Sequence, residues 1–195
     1  RDDIPRVVFS SFFSEDSSTI LECDFVGINV PVPGVLRAVD GATGQEVWTN
    51  TTDLLNSSVT PVAADINADG VVEIIAQKYV LLECYADIEN GPKVKGKFSR
   101  GHLVAFTHEG EFLWESEQWT RNGDEIEDTG GLAVADMNGD GLAEIAVGDH
   151  LFDHNGNLLF KGGRGTGSAF HGPVSAFANM DADPELELVC GGTVY

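Results

Sequence analysis

Three short blocks gather oxygen-bearing side chains at a fixed spacing: residues 65–73 (DINADGVVE), 136–144 (DMNGDGLAE) and 179–187 (NMDADPELE). Oxygen donors stand at positions one, three, five and nine of each: Asp65, Asn67, Asp69 and Glu73; Asp136, Asn138, Asp140 and Glu144; Asn179, Asp181, Asp183 and Glu187. Alternate residues of a curled loop converge on one point. The backbone carbonyl at position seven (Val71, Leu142, Glu185) adds a ligand, and the glutamate closes or orients the site. Donors that are all hard oxygens suit Ca2+, which takes about six to eight of them at roughly 2.3–2.6 Å. Each block brings three carboxylates at these positions, and without a cation they repel one another across a few ångströms.

An EF-hand opens with the same D-x-N-x-D-G run, but its bidentate glutamate lies at position twelve. Here position twelve is Ala76, Val147 or Cys190. The flanks are β-branched and show no helical period, so the helix–loop–helix reading is rejected. Pro184 replaces the glycine of the first two blocks; proline cannot take a positive φ, so the third loop is expected to bind less tightly or to curl differently.

Elements that position such loops are legible around them. Each block follows an apolar stretch ending in Ala64, Ala135 or Ala178 and leads into Ile74-Ile75-Ala76, Ile145-Ala146-Val147 or Leu188-Val189-Cys190, the pattern strand, polar loop, strand. A second unit recurs at 34–48, 101–114 and 150–160, where Gly44, Gly110 and Gly156 each stand four residues before an aromatic, Trp48, Trp114 or Phe160. Asn155-Gly156 favours a positive-φ hairpin turn, and the other two glycines can supply the same backbone. Joined, the two units make a four-stranded repeat, the size of a β-propeller blade. Loop starts lie 71 and 43 positions apart because 78–100 inserts between the second and third strands of one repeat.

The expected fold is therefore all-β: antiparallel four-stranded blades, about three of them, with fragments near 1–52, 59–119, 130–163 and 172–195 of one propeller. Thirteen strands are counted, with the last repeat ending after its second strand. Residues 2–9 align with 69–76, so the chain begins inside a loop of the same type. Starting and stopping mid-blade leaves open sheet edges, so the native polypeptide is expected to be longer, with further blades or neighbouring chains over those edges.

Composition narrows the partners. A formal net charge of −21 repels nucleic acid and anionic lipid and attracts cations. No apolar run reaches membrane-spanning length. Cys23, Cys84 and Cys190 match no zinc or redox spacing.

The three loops, each followed by Glu-Ile-Ile-Ala, Glu-Ile-Ala-Val or Glu-Leu-Val-Cys, resemble the FG-GAP or VCBS-type repeats of calcium-binding β-propellers, a group that includes the propeller of integrin α subunits. The resemblance covers the chain apart from insertions at about 10–33 and 78–100. It implies two to three Ca2+ sites on the positions named above, and a secreted or cell-surface protein. One fold hosts many functions. A binding, adhesion or structural surface module is the leading expectation, with an unknown protein or glycan as ligand. A polysaccharide-active, lyase-like enzyme is the alternative. No catalytic residue is assigned, since no His/Ser/Asp or Cys/His constellation stands out.

Other features have plainer readings. The segment Ala38-x-Asp40-x-x-Thr43-Gly44-x-x-x-Trp48 resembles the tryptophan-docking motif of quinoprotein dehydrogenases, yet packing between blades explains Trp48 and Trp114 equally well. The glycine-rich run 162–168 lacks the terminal Gly-Lys-Ser/Thr of a phosphate cradle and reads as a loop. His150 and His154 read as turn and surface residues. Asn50-Thr51-Thr52 and Asn56-Ser57-Ser58 fit glycosylation sequons, read here as part of a polar loop. The basic cluster of Lys93, Lys95, Lys97 and Arg100 is the first expected contact surface.

Overall fold

The computed structural model describes residues 5–12, 33–57, 59–78, 84–87, 91–94, 101–117, 131–162, 174–191 and 193–195. These contain β-strands and turns and no helix. Of the sixteen strands among the described residues, fourteen fall into four main sheets in chain order. The first holds β1 (Arg6–Phe12), β2 (Pro33–Asp40) and β3 (Glu46–Asn56). The second holds β4 (Val62–Ala64), β5 (Glu73–Gln77), β8 (Leu103–Phe106) and β9 (Phe112–Glu115), with β6 (Cys84–Asp87) and β7 (Gly91–Val94) forming a separate ribbon between β5 and β8. The third holds β10 (Leu132–Ala135), β11 (Glu144–Val147), β12 (His150–Phe152) and β13 (Leu158–Lys161); the fourth holds β14 (Ser175–Ala178), β15 (Glu187–Cys190) and β16 (Thr193–Val194). Every pairing inside these sheets is antiparallel between neighbours.

The side-chain period of two explains why the sheets stack face to face. Ile74 and Ala76 of β5 turn toward the first sheet and pack with Leu36, Leu55 and Phe106, while Ile75 turns the other way and packs with Ile145, Val147 and Phe152 of the third. Along β11 the same split sends Ala146 toward Leu188 of the fourth sheet. Both β5 and β11 are consequently buried at every residue, whereas β9 and β13 are largely exposed. Each fully buried Ile, Leu or Phe contributes about 1.5–3 kcal/mol relative to exposure.

The three recurring hairpins are β2–β3, β8–β9 and β12–β13, with Gly44, Gly110 and Gly156 at φ of 72°, 82° and 81°. Each turn is pinned by the side chain that opens it. Asp40 accepts from the amides of Ala42 and Thr43, Thr107 from Glu109 and Glu111, and Asp153 from Asn155 and Asn157. Trp48 lies over Gly110 and donates from Nε1 to the His108 carbonyl at 3.1 Å, and Trp114 lies over Gly156 in the same way. Packing between sheets thus accounts for both tryptophans.

Four expectations need correction. The last sheet has a third strand, β16, too short to show a pattern in sequence, and the 78–100 insertion contains the β6–β7 ribbon, so thirteen strands was an undercount. The sequon asparagines, Asn50 and Asn56, lie in β3, not in a loop. Asn56 is 2% exposed and donates to Gln77 Oε1 at 3.3 Å, and the Asn50 amide donates to the Gly110 carbonyl at 3.0 Å, so both amide nitrogens serve internal bonds. His150 is 3% exposed, a buried residue at the start of β12, not a surface one; His154 sits in the β12–β13 turn. Lys93 pairs with Tyr85 in the ribbon, while residues 1–4, 95–100 and 163–173, which carry the partial first loop, the rest of the basic cluster and most of the glycine-rich run, lie outside the described residues.

Candidate cation loops

All three acidic blocks connect the first and second strands of a sheet: β4 to β5, β10 to β11 and β14 to β15. Antiparallel pairing at their base (Ala64 with Glu73, Ala135 with Glu144, Ala178 with Glu187) sets the span that each loop must close.

In all three, the position-nine glutamate reaches back to the position-two amide. Glu73 Oε2 accepts from Ile66 N–H at 3.0 Å, Glu144 Oε2 from Met137 N–H at 2.7 Å, and Glu187 Oε2 from Met180 N–H at 2.6 Å. Glu73 and Glu144 are each 5% exposed. Burial pushes both carboxyls above the usual carboxylate range, the Asp65 and Asp69 or Asp136 and Asp140 charges push the same way, and the accepted amide hydrogen bonds oppose the shift.

The first two loops share one backbone. Asp65 accepts from Asp69 N–H at 3.1 Å and Gly70 N–H at 2.8 Å, and Asp136 accepts from Asp140 at 3.1 Å and Gly141 at 2.9 Å. Asn67 and Asn138 each accept from the position-five amide at 2.9 Å, and Asp69 and Asp140 each hold the position-seven amide. Positive φ is needed at position six, supplied by Gly70 (84°) and Gly141 (92°).

The third loop, with Pro184 at position six, does curl differently. Its position-one Asn179 cannot offer two carboxylate oxygens; its side-chain amide instead donates to the carbonyls of Asp183 and Glu185. Carboxylate oxygens of Asp181, Asp183 and Glu187 lie within 4.8 Å of one another, close enough for a single metal ion. In this loop a positively polarised N–H group stands against the position-seven carbonyl, where a cation would also be attracted. Among the described residues this is the loop whose three carboxylates gather in that way, and its donors are hard oxygens of the kind a hard divalent ion takes.

One pairing left no mark in the side-chain pattern of charges. The position-two carbonyl of each loop accepts from the position-eight amide of the next: Ala143 N–H to Ile66 at 3.0 Å and Leu186 N–H to Met137 at 2.9 Å. The large apolar residues at position two, Ile66 and Met137, between the first two oxygen donors of their loops, are the signal that could have revealed it.

A buried pair occupies the opposite end of the third sheet. His150 Nδ1 lies 3.0 Å from Asp149 Oδ1, and His150 Nε2 has no hydrogen-bond partner among the described residues. Burial holds the imidazole below its ordinary pKa, against the pull of Asp149.

The raised glutamates make a signed prediction for the cation-free chain. A folded-state pKa above the unfolded value means that the native state binds more protons between the two, so stability rises as pH falls through that window and drops again as pH rises. Melting in chelator across mildly acidic pH should show this slope, and the Glu73→Gln/Glu144→Gln double variant should lose it. A slope unchanged in the double variant would assign it elsewhere.

No protein-family model matches the chain, and no curated protein matches it in sequence. Among solved structures, the V. cholerae biofilm matrix protein Bap1 is similar at a TM-score of 0.64 and 22% identity, over 99% of this chain and 25% of that one. The rhamnogalacturonan lyase YesW is similar at a TM-score of 0.50 and 22% identity, over 83% of this chain and 27% of that one. The chain therefore spans about a quarter of the length of either protein, and at these identities the likeness is one of fold.

Proposed function

We propose that the chain forms blades of a calcium-binding β-propeller of the FG-GAP or VCBS type that works outside the cell as a ligand-binding, adhesive or structural module. One observation carries this reading: three acidic loops occupy the same place in three consecutive sheets and are hydrogen-bonded loop to loop. Radial arrangement is supported by the first strands, since β10 neighbours both β4 and β14, with a parallel bridge between Gly131 and Val174. Four-stranded antiparallel sheets stacked in chain order about their first strands are the construction of a propeller. Extracellular modules bind calcium with dissociation constants of about 10⁻⁴–10⁻³ M, a range that exposed three-carboxylate loops suit. The ions hold the loop backbone, and recognition falls to loops and insertions on that scaffold.

Likeness to a biofilm matrix protein and to a polysaccharide lyase favours a setting among extracellular glycans, by analogy of fold alone. Rhamnogalacturonan, other glycans and matrix proteins should be presented to the chain in calcium and in chelator. Calcium-dependent retention without cleavage products supports the binding module. Release of cleaved oligosaccharides would replace it with the enzyme reading.

A further inference from the structure

Each loop is fastened to the next at one residue. Ile66 donates its N–H to Glu73 of its own loop at 3.0 Å and offers its carbonyl to Ala143 of the second loop at 3.0 Å. Its side chain is 1% exposed and packs with Ala143 and Ile145 of the third sheet. Ala143 immediately precedes Glu144, which holds Met137 N–H at 2.7 Å, and the Met137 carbonyl accepts from Leu186 of the third loop at 2.9 Å. Met137 packs against the cluster of Ala146, Leu151 and Leu188 between the third and fourth sheets. Leu186 in turn precedes Glu187, which holds Met180. A continuous line of hydrogen bonds, main-chain between loops and carboxylate-to-amide within them, together with apolar plugs, therefore runs through Glu73, Ile66, Ala143, Glu144, Met137, Leu186 and Glu187.

We propose that the three loops take up calcium as a coupled row, so that filling one loop raises the affinity of the loop fastened to it; this rests on the cation reading above. Holding the carboxylates of one loop about an ion fixes its glutamate, and with it the position-two peptide. That peptide is also a fixed wall of the next loop. Close-packed interiors pass such constraint on rather than absorbing it, and a neighbour already ordered has less freedom left to lose on binding. The second loop is fastened on both sides, whereas among the described residues the first and third are fastened to it alone. Dependence on neighbours should follow that order.

Asp140→Asn tests this with little disturbance, because among the described residues Asp140 Oδ1 accepts from Leu142 N–H alone, at 2.8 Å, and an amide oxygen can do the same. Calcium alone is titrated into the whole chain, and each loop is followed through its own backbone amide NMR signals at Val71, Leu142 and Glu185. The expected result is weaker binding at the first and third loops, by about fivefold, the effect of a coupling of about 1 kcal/mol. Asp69→Asn should weaken the second loop by a similar factor and the third by less. Ile66→Ala, which leaves every carboxylate in place, should also weaken the second loop; if that variant does not fold, the two asparagine variants still decide. Wild-type affinity at both remaining loops in Asp140→Asn would overturn the coupling while leaving the cation reading intact. Absence of calcium binding at every loop of the wild-type chain would overturn the reading beneath it.

Discussion

Gly156→Ala should cost the fold about 3 kcal/mol, while Gly44→Ala should cost about 1–2 kcal/mol. Both glycines sit in left-handed backbone, φ 81° and 72°, where any L side chain is penalised by roughly 1–2 kcal/mol. They differ in what the new methyl meets. At Gly44 nothing lies within 4 Å, but at Gly156 the methyl would stand 2.8 Å from the Trp114 ring and 2.9 Å from Ser116 Cα. Overpacking of that kind adds roughly 1–3 kcal/mol, because the ring is seated between two sheets and cannot retreat freely. Gly110→Ala should behave like Gly156→Ala, since its methyl would meet the Trp48 ring at 2.6 Å. Urea denaturation of the three variants measures the contrast. Equal losses at all three positions would mean that the tryptophans do not set the spacing of the hairpins.

Saturating calcium should stabilise the chelator-stripped chain by about 2.7 kcal/mol for each loop filled at a hundredfold excess over its dissociation constant. For a chain of 195 residues each kcal/mol moves the melting temperature by about 2–4 °C. Two or three filled loops thus predict a rise of at least about 10 °C. The physical source is relief of repulsion: Glu73 and Glu144 are buried in the fields of two aspartates each, and a divalent ion removes that penalty together with the raised pKa. Magnesium should do less, since it dehydrates reluctantly and demands a tighter octahedral cage. Identical melting in chelator and in calcium would show the loops to be acidic turns only.

Much of the architecture was legible because it repeats. The three acidic blocks fixed the boundary between first and second strands, and a glycine four residues before an aromatic marked each hairpin. Illegible parts lack a repeat or a side-chain signature. The β6–β7 ribbon lies in an insertion with no counterpart elsewhere, and β16 is two residues long. Strand β3 runs through Asn50, Thr51, Thr52 and Asn56, whose polarity resembles a loop, because the two asparagine amides are satisfied by Gly110 of the β8–β9 turn and Gln77 of β5. His150 looked like a turn residue, yet it is buried at the start of β12.

Within the candidate site, the acidic positions were readable but the hydrogen bonds they make in the structure were not. In a charge pattern Asp65 and Asp136 look like ligands only, yet each also organises its own loop by accepting backbone amides. Such bonds preorganise the backbone that a cation would bind. The third loop, with proline at position six, differs in the bonds of Asn179, and in it the carboxylates of Asp181, Asp183 and Glu187 lie together. Main-chain fastening of loop to loop could be inferred only weakly, from an apolar residue at position two of a polar block.

Isothermal titration calorimetry of calcium into the chelator-stripped chain addresses the central claim most directly. Two or three sites per chain, weakened by Asp69→Asn, Asp140→Asn or Asp183→Asn, are the expected result. No heat at millimolar calcium, or heat that survives all three substitutions together, would contradict the assignment of these loops as calcium sites.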